Sequence, residues 1–159
     1  MLTSRGLVAY GDTANLISLL LYAGVTLLFY DLFRPVNKYV SLLAAICSFA
    51  GCVTTAFVIF NLDSANISPL AFFGPYCALI GYLILRSTIV PRMLGALMVL
   101  AGLGWVASLV PGLASDLATP VKVVGFFAEA GLMVWLLVIG VDVERWEGQA
   151  APPRAGTYT

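Results

Sequence analysis

Apolar residues run through this chain in blocks about as long as a bilayer is thick, and the few ionisable residues fall between the blocks. Asp12 to Asp31 encloses 18 uncharged residues, Lys38 to Asp63 encloses 24, Asp63 to Arg86 encloses 22 and Arg92 to Asp116 encloses 23. Lys122 to Asp142 encloses 19, uncharged except for Glu129. A helix rising about 1.5 Å per residue needs about 20 such residues to cross about 30 Å of hydrocarbon. The pattern predicts five membrane-spanning helices, near residues 14–33, 39–61, 67–85, 91–110 and 121–141. Barrel strands would alternate strictly between apolar and polar positions over about 10 residues, and no block does. The expectation is an all-α integral membrane helical bundle over residues 1–146. Residues 147–159, whose Pro, Gly and Ala carry no apolar period, are expected to be a disordered cytoplasmic tail.

The connections carry turn and cap chemistry. Pro35 ends the first helix, Asp63-Ser64 parts the second from the third, and Pro91 suits the first turn of the fourth. Pro111-Gly112 is expected to close the fourth helix, and Thr119-Pro120 reads as cap and first residue of the fifth. Arg5 precedes the first block, but the run is too long for a signal core and no small-residue cleavage site follows before Asp31. It reads as a retained helix, the most polar of the five, with Asn15, Ser18 and Thr26. With the amino terminus outside, the inner segments hold six basic residues (Arg34, Lys38, Arg86, Arg92, Arg145, Arg154) and the outer ones two (Arg5, Lys122). The positive-inside bias therefore predicts an external amino terminus and a cytoplasmic carboxyl terminus in a cell membrane.

Composition sharpens this picture. Charged residues make up 10% of the 159 and hydrophobic ones 61%, with mean hydropathy +0.99; soluble domains carry about 25% charged residues. Lipid must be the solvent for most of the surface. Zero net charge argues against a nucleic-acid partner. The absence of histidine removes imidazole haem ligation, histidine-based zinc sites and every Ser-His or Cys-His nucleophile. Cys47, Cys52 and Cys77 fall within spans, with no CxxC spacing and no clustered acids, so neither a disulfide nor a metal site is read from them, and no cofactor is expected.

Fifteen of the sixteen charges set span lengths, orientation and helix ends, which leaves Glu129. It lies nine residues after Pro120, about 13 Å into its helix and near the midplane. Such residues face the bundle interior, because an unpaired charge there costs several kcal/mol, and Gly125 one turn earlier lets a neighbouring helix approach closely. Glu129 reads either as a protonatable site for a proton relay, a cation or a polar ligand, or as a neutral carboxyl hydrogen-bonded to another helix. Depth counting places Tyr22, Ser48 and Tyr76 at the same level, and the four make a candidate intramembrane polar site.

Other features read as structure. Gly74-Pro75 should bend the third helix. The rows Ala44-Ser48-Cys52 and Gly104-Ser108-Gly112 are close-packing faces that bury helices within one chain or join two chains. Asp31 and Arg34 read as a helix-end ion pair, Arg86 and Arg92 as contacts to lipid phosphates, and Trp146 as an interfacial anchor.

GYLILRSTIVPRMLGALMVLAGLGW at residues 81–105, WLLVIGVDVERW at 135–146 and FYDLFRPVNKYVSLLAA at 29–45 resemble segments of bacterial membrane proteins in the domain of unknown function 4386 family. The similarity covers roughly residues 22–146, with the turn from Arg86-Ser87 to Pro91-Arg92 its most distinctive part. The resemblance implies a multi-spanning architecture without a settled activity, in a version shortened at its amino terminus. The functional expectation is a non-catalytic accessory or interaction protein, partnered by the bilayer and by a homo-oligomer or larger membrane assembly. The alternative is a small carrier or channel, working as an oligomer and using Glu129. An intramembrane enzyme is the weakest reading, since the sequence offers no paired acids, metal-ligand cluster or activated nucleophile.

Overall fold

A computed structural model describes residues 2–60 and 68–150. These residues form helices and no strand: α1 (Leu2–Phe33), α2 (Lys38–Ile59), α3 (Leu70–Arg86), α4 (Arg92–Ala107), α5 (Pro111–Val138) and α6 (Val143–Ala150). Thr13–Phe33, Lys38–Ile59 and Thr119–Val138 are long and apolar enough to cross a membrane, while α3 and α4 are apolar helices of 17 and 16 residues. The protein is an all-α membrane bundle.

Four local departures from the sequence reading have plain causes. The fifth helix starts at Pro111, not at Thr119-Pro120. Pro111 needs no N–H partner at a helix start, and the helix then carries Pro120 in its interior. The fourth helix accordingly ends at Ala107, before Pro111-Gly112. At its other end α5 stops at Val138, because Gly140 takes a left-handed φ of 74° and turns the chain. Beyond that turn α6 continues four residues past the expected boundary at Trp146, to Ala150. The Asp63-Ser64 connection and residues 151–159 of the expected tail lie outside the described residues.

Each helix packs chiefly against its neighbours in the chain: α1 on α2, α2 on α3, α3 on α4 and α4 on α5. The α3–α4 interface is the most extensive and rests on two glycine pairs spaced seven apart, Gly74 and Gly81 against Gly95 and Gly102. A Cβ on Gly81 would lie 2.7 Å from the Gly95 carbonyl oxygen, and one on Gly102 would lie 2.5 Å from the Ala78 nitrogen. In lipid there is no hydrophobic drive between helices, so such close van der Waals contact is what holds them. The α4–α5 contact uses Gly104 against Val121, Gly125 against Trp105 and Gly131 against Leu94.

The α1–α2 seam is polar. The Thr26 and Ser48 hydroxyls share a hydrogen bond of 2.5 Å, and the Ser41 hydroxyl donates to the Tyr30 carbonyl at 3.0 Å. All three side chains are buried. The row Ala44-Ser48-Cys52 is therefore an intrachain packing face. Between these helices the Asn37 side chain caps α2 by accepting from the Tyr39 and Val40 N–H groups.

Candidate functional site

α1 and α5, the outer members of this array, share no extensive interface. The space between them is a groove of about 840 Å³, with Phe73, Tyr76 and Cys77 of α3 and Met98 of α4 as its floor. One wall runs along α1 from Tyr22 to Leu32, and the other runs along α5 from Glu129 to Leu137 and on through Val143 to Trp146. Almost all of the lining is apolar or aromatic. Its polar side chains are Tyr22, Tyr76 and Glu129 at one end and Asp31 and the Trp146 indole at the other.

Three of the four expected site residues thus meet in one groove. Tyr22 and Tyr76 stack edge to face, with ring centroids 5.9 Å apart. Glu129 joins them, but not from a packed interior position. Ala128 and Leu132 take the inward face of α5, at 0% and 4% exposure. Glu129, one position further round the helix, comes out at the groove edge and is exposed. It makes no hydrogen bond or ion pair with any described residue. The Tyr22 hydroxyl is buried and has no hydrogen-bond partner among the described residues.

Ser48 is separated from this group. Its hydroxyl is bound to Thr26 and opens on a second cavity of about 270 Å³, lined also by Asn15, Ser18, Thr55 and Pro69. Tyr22, Phe73 and Tyr76 line both cavities and form the partition between them. The smaller cavity follows the middle of α1, from Asn15 to Tyr22, and α2 from Cys47 to Thr55; the larger follows the last halves of α1 and α5. The expected four-residue layer is therefore an aromatic partition with Glu129 on one side and Ser48 on the other.

The groove is closed at its Trp146 end by contacts that residue types alone did not signal. The Trp146 indole N–H donates to the Leu32 carbonyl at 3.1 Å, tying α6 to the end of α1. Arg145 reaches the Thr88 carbonyl at 3.4 Å and pairs with Asp142 at 3.0 Å. That is the ion pair found among the described residues; Asp31 and Arg34 do not pair, since Arg34 lies past the end of α1. The turn between Arg86 and Arg92 folds inward, burying Ser87, Ile89 and Val90, and the Arg86 guanidinium lies 5.6 Å from the Tyr82 ring centre.

This architecture has relatives. The model of the family described as "Domain of unknown function (DUF4386)" matches residues 55–140, more than half of the chain. The chain belongs to this family. The DUF4386 match includes the glycine-paired α3–α4 unit and all of α5, with Glu129. An uncharacterized protein of Archaeoglobus fulgidus is 30% identical over 138 residues, covering 82% of this chain and 84% of the relative. No solved structure matches. The DUF4386 membership fits the resemblance read from residues 22–146 and brings no activity with it.

Proposed function

We propose that this DUF4386 protein is a multi-pass integral membrane protein with five spans, its amino terminus outside and its carboxyl terminus in the cytoplasm. Its role is a non-catalytic interaction inside the bilayer, made through the groove between α1 and α5. The observation that carries this reading is the open side of the array. Two long apolar helices flank a groove of about 840 Å³ without closing it, and the unpartnered Glu129 lies at its edge. A surface that joins exposed apolar side chains to an unsatisfied carboxyl, at a depth where water is absent, gains from being covered. The six-to-two division of basic residues supports the orientation.

A photo-crosslinking side chain at Leu137, exposed on the groove rim, should give one saturable adduct in native membranes. The same probe at Leu100, exposed on α4 away from the groove, should not. Equal labelling at both positions would sink the reading.

The back-to-back cavities favour one second reading, a carrier that works as an oligomer and uses Glu129. Opening of the Tyr22–Phe73–Tyr76 partition would join the two cavities. Solute or proton flux into reconstituted vesicles that Glu129→Gln abolishes would replace the first reading with this one.

A further inference from the structure

The groove has a length, a polar end and a closed end, and together these select what fits it. Along α1 it extends from Tyr22 to Leu32, ten steps along the helix, or about 15 Å at 1.5 Å per residue. That is half of the roughly 30 Å a spanning helix must cross. At one end the aromatic partition stops it, and at the other the Trp146–Leu32 hydrogen bond crosses its mouth. A transmembrane helix of another protein would need a groove open to both surfaces, so it does not fit. The volume, about 840 Å³, lies within the range of single-ligand sites.

Polarity is arranged in reverse for a phospholipid. Two groups without a hydrogen-bond partner among the described residues, the Tyr22 hydroxyl and the Glu129 carboxyl, lie at the deep end, where a phospholipid would present its terminal methyl. The wall between is apolar, and the charged side chain at the other end is the Asp31 carboxylate, which would repel a phosphate. The ligand that satisfies both ends has an oxygen-bearing head that can leave the interface and a long apolar body.

We infer that the groove is the binding site for a lipid-soluble molecule with a neutral, carbonyl-bearing head and a hydrocarbon tail. It enters sideways between α1 and α5 and places its head oxygen against Tyr22 and Glu129. The Tyr22 O–H and the protonated Glu129 carboxyl donate to the carbonyl oxygen, and Tyr76 lines the same end of the groove. The inference rests on the interaction reading above and names the partner's chemistry.

The test uses the full chain in phosphatidylcholine nanodiscs and a decyl-substituted benzoquinone as probe, read by quenching of tryptophan fluorescence, Trp146 being a wall residue. Quenching should saturate, and excess decylbenzene, which has the tail without the carbonyls, should not displace the probe. Tyr22→Phe, which keeps the ring and its packing, should weaken binding about tenfold, as loss of one hydrogen bond does; Glu129→Leu should weaken it at least as much. Quenching that rises linearly with probe, displacement by decylbenzene, or wild-type binding by both variants overturns the proposal. A protein adduct from the Leu137 crosslinker would also overturn it, while leaving the interaction reading standing with a different partner.

Discussion

Replacing Gly102 by alanine tests what holds the bundle together. The added Cβ would lie 2.5 Å from the Ala78 nitrogen and 2.6 Å from the Gly74 carbonyl oxygen. Both are backbone atoms of α3, so no side chain can swing aside. Ordinary contact begins near 3.4 Å, and the helices must separate by close to 1 Å. A radial gap of 0.5–1 Å forfeits about a quarter to a half of each dispersion well along the seam. Overpacking of this kind costs about 1–3 kcal/mol, and rigid backbone on the opposing side puts Gly102 at the upper end. Alanine returns about 1 kcal/mol of helix propensity, which leaves a net loss of about 2 kcal/mol. Gly24→Ala is the control, because nothing lies within 4 Å of its Cβ position; it should be neutral or stabilising by up to about 1 kcal/mol. Unfolding in mixed micelles by added dodecyl sulfate, followed by tryptophan fluorescence, measures both. A Gly102→Ala protein as stable as wild type, or a Gly24→Ala protein equally weakened, would refute the close-packing account of α3 and α4.

Other outcomes follow from single contacts. A double-mutant cycle of Thr26→Val and Ser48→Ala in the same assay should give a coupling of about 0.6 kcal/mol, the typical worth of an interhelical hydrogen bond in a membrane, and no coupling would remove that bond from the seam. Glu129→Leu should leave the fold at least as stable as wild type, since the carboxyl makes no bond to any described residue; a loss above about 1 kcal/mol would mean that it holds helices together. Trp146→Phe keeps an aromatic side chain but removes the hydrogen bond to Leu32, so amide exchange in α6 should accelerate while exchange in α3 and α4 stays unchanged. Asn37→Ala should cost about 1 kcal/mol through the lost cap of α2.

The sequence disclosed the helices because charge is so costly in lipid that ionisable residues crowd to helix ends, and counting between them measures the spans. Counting along the helices also put Glu129, Tyr22 and Tyr76 at one level, and the three line one groove. Rotation about the helix axis was less legible. Glu129 was expected to face inward beside Gly125, yet Gly125 packs on the Trp105 ring and Ala128 and Leu132 take the buried face. A step of one residue turns a helix by 100°, enough to move a side chain from the core to the groove edge. The glycine pairs on α3 and α4 escaped a search for small residues four apart because they repeat every seven residues on both helices. The spacing was present in the sequence, but which helix meets which is a tertiary fact. Pro120 misled for a local reason: proline marks the first turn of many helices, and here Pro111 already fills that role.

The chain-order packing of the helices has a consequence for how the protein is made. Each helix from α1 to α5 meets its principal partner in the helix synthesised just before or just after it. Assembly can therefore proceed span by span as the chain is inserted, with short loop closures throughout. Tyr22 also reaches past α2 to Tyr76, and the Trp146–Leu32 bond joins residues 114 apart in the chain. That bond forms only after α5 and α6 have been delivered, so the groove is bounded at that end only once α6 is made.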